Sequence, residues 1–475
     1  MSEPYKKTLG ISLPIFFFTQ LFNFLFYVIF YKYFSLQEIG IYSSAMAILS
    51  FYVFLLDIGI SNILIREFSQ KRLTLKTSLK FVVFIRSIVI FGSFLLLNFF
   101  FLNEKISVYK YWLLILIGIS LTIDTFSNVF LSWFSANYKQ ITKNYIFLIT
   151  SLCKILGLTL LILLAPKKAI SISLLLLMAS CMQFTITIIL YSLIKKEVSV
   201  NIISEITFID FLKSISPFLI TGLLVTLQNR VDWILIASFV SQIELANYAV
   251  ANRLYEQFLL FIGFFIFTSY PWICKNESTK KFKLVVFHKI IVLGGSLLAF
   301  GCAIFMPQIL SVLWGNKYQE IITTTRILFF TAGFSVLVSL LYYNLIANKM
   351  ENKIIVTTFL ATLLQIIIDL LLIPCYGGLG AAIGISVMII LTFLGFFLIL
   401  KKDKDKGTVI TDKFTYVILF LLISVMLILI DIPNIIRIGI FIGSSIFLAK
   451  VFLFNNDEIF WLIHQAKNIK LSWRF

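Results

Sequence analysis

Apolar stretches long enough to cross a lipid bilayer as a helix recur fourteen times along this chain of 475 residues. A span needs about 20 mainly apolar residues, because a helix rises about 1.5 Å per residue through a hydrocarbon layer of about 30 Å. The stretches lie near 10–31, 39–61, 80–102, 112–134, 144–165, 170–194, 214–239, 247–271, 287–311, 325–347, 353–374, 379–400, 414–431 and 434–454. Only 13% of the residues are charged, against about 25% in soluble proteins. The sequence therefore predicts an all-α, polytopic membrane protein of about 14 transmembrane helices.

The basic residues indicate how the helices are oriented in the membrane. Lys and Arg number 40 against 22 Asp and Glu, for a net charge of +18. They lie in short loops between the apolar stretches, which is typical of contact with anionic lipid head groups, and we expect no nucleic-acid partner. Alternate loops hold most of them, and cytoplasmic loops carry such an excess. We therefore expect both termini in the cytoplasm and an even number of spans.

Metal and cofactor chemistry has little support in this sequence. The two histidines and five cysteines are scattered along the chain, with no Cys-x-x-Cys pair and no clustered ligands. Isolated cysteines in apolar helices behave as small packing residues. We expect no cofactor and no metal site.

One pattern occurs twice in the chain. Ser-x-x-Glu-x-small-x-Tyr-x-x-Ala stands at residues 35–45 and again at 241–251, which is 206 residues later and without a gap. The same offset relates Asn23 to Asn229, and Ala136 matches Ala347 at an offset of 211. Matches in sequence order at nearly constant offset favour a duplication of six helices.

The duplication predicts the domain organisation. Residues 1–200 would form an N-terminal lobe of spans 1–6, and residues 201–402 a C-terminal lobe of spans 7–12 with the same orientation. Residues 403–475 would add spans 13 and 14 and an interfacial tail. Transporters built from repeats place the substrate where the repeats meet and alternate access by rocking them.

Four charged residues lie inside two of the predicted spans, namely Arg230, Asp232, Arg253 and Glu256. A charge in the middle of a bilayer costs at least about 2.5–3.5 kcal/mol, so each marks a candidate functional site. We expect the arginines to bind phosphate oxygens in a water-filled cavity, because the guanidinium fork suits them. The alternative is that neighbouring acids balance the arginines and hold helices together. Arg253 and Glu256 are three apart and can pair, whereas Arg230 and Asp232 point to opposite edges.

Amide side chains accompany these charges. At 100° per residue, Gln228 and Asn229 lie on the polar face of the seventh span, and Gln20 and Asn23 lie on the first span. We expect these amides to line the cavity and to bind sugar hydroxyl groups.

Five further charges are candidates for ion coupling or for structure. Lys154 and Asp124 lie near the centres of spans five and four, where they would form an ion pair, line the cavity or couple protons. We expect Arg86 to extend to the inner surface and Asp57 to join Arg66 in an acid–base clamp between helices. Asp369, near the outer end of its span, would cap a helix or face water.

Enzymatic functions are disfavoured. The chain has no Gly-x-x-x-x-Gly-Lys-Ser/Thr loop for ATP hydrolysis. Its predicted outside loops are short and lack paired acids, which a membrane glycosyltransferase or polymerase would need. We therefore expect a protein that is not an enzyme.

Several features together resemble the polysaccharide transporter family, which contains the O-antigen and capsule repeat-unit flippases. They are the two six-helix lobes with a terminal helix pair, Asp57-x-Gly59 followed by Arg66, and Arg230-x-Asp232 followed by Glu244-x-Ala246-x-Tyr248. This family lies within the multidrug/oligosaccharidyl-lipid/polysaccharide exporter superfamily, and many members have twelve helices, so the last pair here is a departure. The resemblance implies transport of undecaprenyl-diphosphate-linked oligosaccharides across the bacterial inner membrane, for O-antigen, lipopolysaccharide or capsule synthesis. It also implies a cationic central cavity, to which Arg230 and Arg253 would contribute.

The partners expected from this resemblance are the lipid-linked oligosaccharide, membrane lipids, a coupling ion such as H⁺ or Na⁺, and the polysaccharide polymerase and chain-length machinery. The main alternative is a multidrug or organic-cation antiporter of the MATE type, which would need acids in its cavity. A membrane-bound glycan enzyme and a non-transporting assembly scaffold are further alternatives.

Overall fold

The chain is helical throughout the part that the structure describes. The computed structural model describes residues 3–137, 139–195, 206–274, 278–348 and 350–402. The helices are α1 Glu3–Tyr33, α2 Leu36–Asp57, α3 Ile60–Ser69, α4 Leu75–Leu102, α5 Val108–Ala136, α6 Gln140–Leu164, α7 Ala169–Ile194, α8 Phe208–Phe239, α9 Gln242–Cys274, α10 Ser278–Ile304, α11 Met306–Trp314, a 3-10 helix Gly315–Ile321, α12 Ile322–Ala347, α13 Glu351–Tyr376 and α14 Gly378–Lys402. These elements confirm the predicted all-α class.

Ten helical stretches of the described residues are long and apolar enough to cross a membrane. Of two further predicted spans, 247–271 falls on α9, and 287–311 falls on α10 and the beginning of α11. The spans predicted at 414–431 and 434–454, with the interfacial tail, lie outside the described residues, so the number fourteen stays a prediction. The chain is a multi-pass membrane protein.

The ninth predicted span, 287–311, is not one continuous helix. Helix α10 ends at Ile304 and α11 begins at Met306, with Pro307 in its first turn. Proline lacks a backbone N–H and clashes with the preceding turn, so it starts a helix more readily than it continues one. The break was missed because the sequence stays apolar on both sides of it.

The repeated motif marks a helix start in both copies. The Ser35 hydroxyl accepts the backbone N–H of Glu38 at 3.3 Å, and the Ser241 hydroxyl accepts that of Glu244 at 3.1 Å. These side chains satisfy N–H groups that a helix leaves without partners at its first turn. The motif therefore begins α2 and α9 in the same way.

Two compact units divide the chain, Met1–Ala249 and Val250–Phe475. In the first, α5 packs against α2, α3 and α7, α1 packs against α6, and α8 packs against α2. In the second, α12 packs against α10 and α14, and α13 packs against α14. Each has its own apolar core, with Trp133, Phe134 and Phe211 in one and Phe300 and Phe393 in the other. The lobe boundary predicted at residue 200 stays a prediction.

A buried pair of hydroxyl groups occurs inside each unit at corresponding positions. Ser120 on α5 lies 2.9 Å from Ser180 on α7, measured between the two Oγ atoms. Thr331 on α12 and Ser386 on α14 form the same hydrogen bond in the second unit. Ser120 and Thr331 differ by 211, and Ser180 and Ser386 by 206, which are the offsets of the sequence repeat. The two units thus join corresponding helices by the same polar contact.

Candidate functional site

Arg230 lies deep in an apolar span. It stands twelve residues beyond Phe218, where the span Phe218–Phe239 begins, which is about 18 Å along the helix axis. Its side chain is half-buried, its Nη1 donates to the carbonyl of Asn229 at 3.1 Å, and its guanidinium stacks 4.7 Å from the ring of Trp233. Stacking on an aromatic face fixes the orientation of the planar guanidinium.

Asp232, two residues further along α8, has a different environment. Its side chain is fully buried, and its carboxylate accepts hydrogen bonds from the Tyr248 hydroxyl and from the backbone N–H of Trp233. Tyr248 belongs to the repeated motif and is itself buried. These contacts hold a buried carboxylate between α8 and the first turns of α9.

The four amides have partly accessible positions. Asn229 is exposed and its Nδ2 donates to the carbonyl of Val225 at 2.8 Å, which leaves its oxygen as an acceptor. Gln228 is half-buried beside it, and Gln20 and Asn23 are half-buried on α1. The polar face expected on α8 is therefore accessible at Asn229 and Arg230.

Arg253 forms the ion pair that its spacing predicts. Its Nη1 lies 2.7 Å from Oε2 of Glu256, with the two side chains 16% and 21% exposed. Asn252, almost fully buried, donates to the other oxygen of Glu256 at 3.3 Å. The charge of Arg253 is therefore compensated within α9, as the structural alternative requires. Arg230, which lies beside the exposed amide of Asn229, is the arginine on which the site assignment is centred.

Asp124 and Lys154 are brought together inside the first unit. Asp124 on α5 lies near enough to Lys154 on α6 for their opposite charges to attract, and Ser180 on α7 lies beside Asp124. Ser180 is also the partner of Ser120. Asp124, Lys154 and Ser180 thus lie in one polar region on three neighbouring helices, and the ion pair, the cavity and proton coupling all stay predictions.

The expectation for Arg86 is wrong, and one of the two alternatives for Asp369 is excluded. Arg86 does not extend to the inner surface but is fully buried, and it donates to the carbonyls of Leu56 at 3.0 Å and Thr125 at 2.9 Å. Asp369 does not face water, because it is fully buried and its carboxylate lies against the backbone of Gly384 on α14. In both cases residues on other helices shield the charge from the surface.

The acid–base clamp expected for Asp57 exists with a different partner. Oδ1 of Asp57 lies 3.6 Å from Nη2 of Arg86, whereas Arg66 pairs with its neighbour Glu67 at 2.7 Å. Asp57 ends α2 and Arg86 lies on α4, so this clamp does join two helices.

A polar contact at the start of α2 was not anticipated from the sequence. Oε2 of Glu38 accepts the Tyr109 hydroxyl at 2.6 Å and the backbone N–H of Ala169 at 2.7 Å. Ala169 is the first residue of α7, so Glu38 joins the beginnings of three helices. The Ser-x-x-Glu signature gives the position of Glu38 at a helix start, but its partners lie far away in sequence. Among the described residues, no group of three His, Cys, Asp or Glu side chains is arranged to hold a metal ion.

A family model described as "Polysaccharide biosynthesis protein" matches residues 6–277. The chain belongs to this family. The match covers more than half of the sequence and includes Arg230 and Arg253, and it confirms the expected family. No curated protein matches the chain.

Solved structures place this polysaccharide biosynthesis family member in a known transporter fold. A structure described as "Lipid II flippase MurJ, inward closed conformation" has a TM-score of 0.69 at 19% identity, covering 93% of this chain and 98% of that one. An inward-facing multidrug resistance MATE family transporter of the MOP superfamily has a TM-score of 0.62 at 14% identity, covering 84% and 99%. A MOP superfamily transporter from Pyrococcus furiosus, described as having a binding pocket of reverse polarity, has a TM-score of 0.52 at 15% identity, covering 83% and 95%. The chain therefore shares its fold with these transporters.

Proposed function

We propose that this protein is a flippase for undecaprenyl-diphosphate-linked oligosaccharide repeat units. It would move them across the bacterial inner membrane by alternating access of its two lobes, for the synthesis of O-antigen, lipopolysaccharide or capsule. Both termini would lie in the cytoplasm, and the repeat unit would reach the polymerase and chain-length machinery on the far side.

Arg230 carries this proposal. It combines a deep position in an apolar span with partial exposure and with an accessible amide, Asn229, next to it. An arginine is expensive to keep at that depth, which suggests an anionic cargo that uses it. A diphosphate presents several oxygens to the planar fork, and the Asn229 oxygen is suited to a sugar hydroxyl. Family membership supports a glycan cargo.

Arg253 would contribute to substrate binding by exchanging its carboxylate partner for the diphosphate. Its present partner, Glu256, is a carboxylate with the same hydrogen-bonding geometry as a phosphate edge. An incoming diphosphate would replace Glu256 on the guanidinium, and Glu256 would keep its contact with Asn252. In this role Glu256 holds Arg253 in place when no substrate is bound.

An organic-cation antiporter of the MATE type is the second candidate, favoured by the likeness in fold. Such a transporter needs accessible acids. Asp232 is fully buried, and Glu256 is paired with Arg253. The environments of Asp232 and Glu256 therefore favour an anionic cargo over a cationic one.

A genetic experiment tests the proposal. In a strain that lacks the native gene, we expect lipid-linked repeat units to accumulate in the inner membrane and surface glycan to disappear. Plasmid-borne wild-type protein restores the glycan, whereas Arg230→Ala at equal membrane abundance does not. Restoration by Arg230→Ala would remove the site assignment. Deletion that changes resistance to cationic dyes, but not the surface glycan, would favour the antiporter.

A further inference from the structure

The apolar stretch Leu36–Ser69 contains a sharp break between α2 and α3. Ile58 has φ 38° and ψ 36°, and Gly59 has φ 75°, so two successive residues adopt a left-handed backbone. A β-branched residue rarely takes this conformation, and the end of a helix leaves carbonyl groups without partners. The surroundings must therefore hold residues 56–59, called the elbow below, in this shape.

Arg86 on α4 supplies one of the missing hydrogen bonds at the elbow and a charge partner for Asp57. Its Nε donates to the carbonyl of Leu56 at 3.0 Å, and its Nη1 donates to the carbonyl of Thr125 on α5 at 2.9 Å. Its Nη2 lies 3.6 Å from the carboxylate of Asp57, and its guanidinium lies 5.0 Å from the ring of Phe126. A positive group at the C-terminal end of a helix also interacts favourably with the negative end of the helix dipole. One fully buried side chain thus joins α4, the elbow and α5.

Hydroxyl contacts hold the elbow from its other side. The Ser61 hydroxyl donates to Oδ1 of Asp57 at 2.7 Å, and the Ser132 hydroxyl on α5 donates to the carbonyl of Ser61 at 3.3 Å. The start of α3 is therefore fixed to α5 as well.

The elbow in turn supports α8. A Cβ atom on Gly59 would lie 2.5 Å from Cβ of Phe218, and one on Gly222 would lie 2.8 Å from Cε2 of Phe54. These distances show that α8 approaches the end of α2 and the elbow as closely as glycine permits. A displacement of the elbow must therefore displace the beginning of the membrane span of α8.

We infer that Arg86 is a positioning residue for the substrate arginine: by fixing the elbow against α8, it sets the place of Arg230, twelve residues beyond Phe218. This inference rests on the proposed function. Arginine suits the task because its fork donates to carbonyls on two different helices at once, whereas a lysine ammonium on its flexible stem lacks this fixed geometry.

Ligand binding gives the first arm of the test. The purified full chain is titrated with undecaprenyl diphosphate in mixed micelles, comparing Arg86→Met, Arg86→Lys, Arg230→Ala and the double variant Arg86→Met/Arg230→Ala. We expect Arg86→Met to raise Kd about fivefold or more and Arg86→Lys to raise it less. In the Arg230→Ala background, Arg86→Met should add nothing, because a residue that acts through another shows no independent effect. Lys80→Met, which removes an exposed charge from the same helix, should bind as wild type.

Cysteine reactivity gives a second arm that needs no substrate. A Phe54→Cys reporter faces Gly222 on α8, in a background from which the native cysteines are removed. We expect a small thiol reagent to modify this cysteine about fivefold faster in Arg86→Met than in wild type, because the packing between α2 and α8 loosens. Lys80→Met should leave this rate unchanged. If Arg86→Met fails to fold, Arg86→Lys is used in both arms.

Three results overturn the inference. The first is unchanged labelling in the Arg86 variants, and the second is faster labelling with unchanged Kd. The third is a Kd of the double variant that is raised by the product of the two single effects, which would show that Arg86 and Arg230 act independently. Binding that is insensitive to Arg230→Ala contradicts the proposed function and with it the role of Arg86 in binding. The labelling rates then show separately whether Arg86 holds the elbow against α8.

Discussion

The Tyr248 hydroxyl donates a hydrogen bond to the carboxylate of Asp232, and both side chains are buried. Tyr248 lies in the repeated motif, whose first copy has Tyr42 at the corresponding position, packed edge-on against Phe30. In the first copy, Phe26 takes the position that Asp232 has in the second. Both copies of the motif thus have the tyrosine, and its partner is Phe30 in the first copy and the carboxylate of Asp232 in the second.

Tyr248→Phe should therefore destabilise the protein. The variant keeps the ring but leaves the buried carboxylate short of a donor, which lowers the free energy of unfolding by about 1–3 kcal/mol. Thermal unfolding in detergent micelles measures the change. Tyr376→Phe, at a side chain 61% exposed, is the matched control and should have no effect. Equal midpoints for the two variants would show that the hydrogen bond contributes nothing to stability.

Glu38→Ala should loosen the beginnings of α2, α5 and α7 together. It removes the acceptor of the Tyr109 hydroxyl and of the Ala169 N–H, the latter acting as a helix cap. We expect a loss of about 1–3 kcal/mol, the range for a cap and a buried hydrogen bond. The exposed Glu104→Ala is the control. Faster amide hydrogen exchange at the start of α7 in Glu38→Ala checks the location, and unchanged exchange there would contradict it.

Alanine at Gly59 and at Gly92 should have opposite effects. Gly59 has a positive φ and its Cβ would collide with Phe218, so Gly59→Ala should lose roughly 1–3 kcal/mol of stability. Gly92 lies inside α4, where an added Cβ would meet no atom of the described residues within 4 Å, so Gly92→Ala should gain roughly 0.5–1 kcal/mol. Unfolding midpoints of the two variants provide the comparison. A tolerated Gly59→Ala would mean that the elbow can adjust.

Glu256→Gln separates the two roles of the Arg253 pair. If a diphosphate replaces Glu256 on Arg253, removing the competing charge should lower the Kd for undecaprenyl diphosphate about two- to fivefold. Glu351→Gln, at an exposed position on α13, should bind as wild type. Unchanged affinity together with reduced stability of Glu256→Gln would assign the pair to helix packing alone.

Apolar length and helical spacing were sufficient to predict most of the fold. Each described span is apolar over about 20 residues or more, and the three-residue spacing of Arg253 and Glu256 correctly predicts their pair. The elbow and the break before Pro307 were missed, because both lie inside stretches whose composition stays apolar. Gly59 and Pro307 were the local signals of these breaks.

The contacts of the buried charges could not be predicted in the same way. Arg86 was expected at the inner surface because a long side chain near a helix end usually reaches water. Its partners, the carbonyls of Leu56 and Thr125, are backbone atoms 30 and 39 residues away, and no side-chain pattern indicates them. The same holds for Glu38, whose partner is the N–H of Ala169, 131 residues away. Sequence identifies a charge that needs a partner, and only the packing of the helices supplies it.

Movement of substrate between leaflets tests the central claim most directly. The purified protein is reconstituted in vesicles that contain a fluorescent undecaprenyl-diphosphate oligosaccharide, and quenching from outside reports how fast label crosses. Wild type should accelerate crossing over protein-free vesicles, and Arg230→Ala at equal protein density should be at least about tenfold slower, a loss of about 1.4 kcal/mol. Equal rates for wild type and Arg230→Ala, or wild-type vesicles no faster than empty ones, would contradict the account.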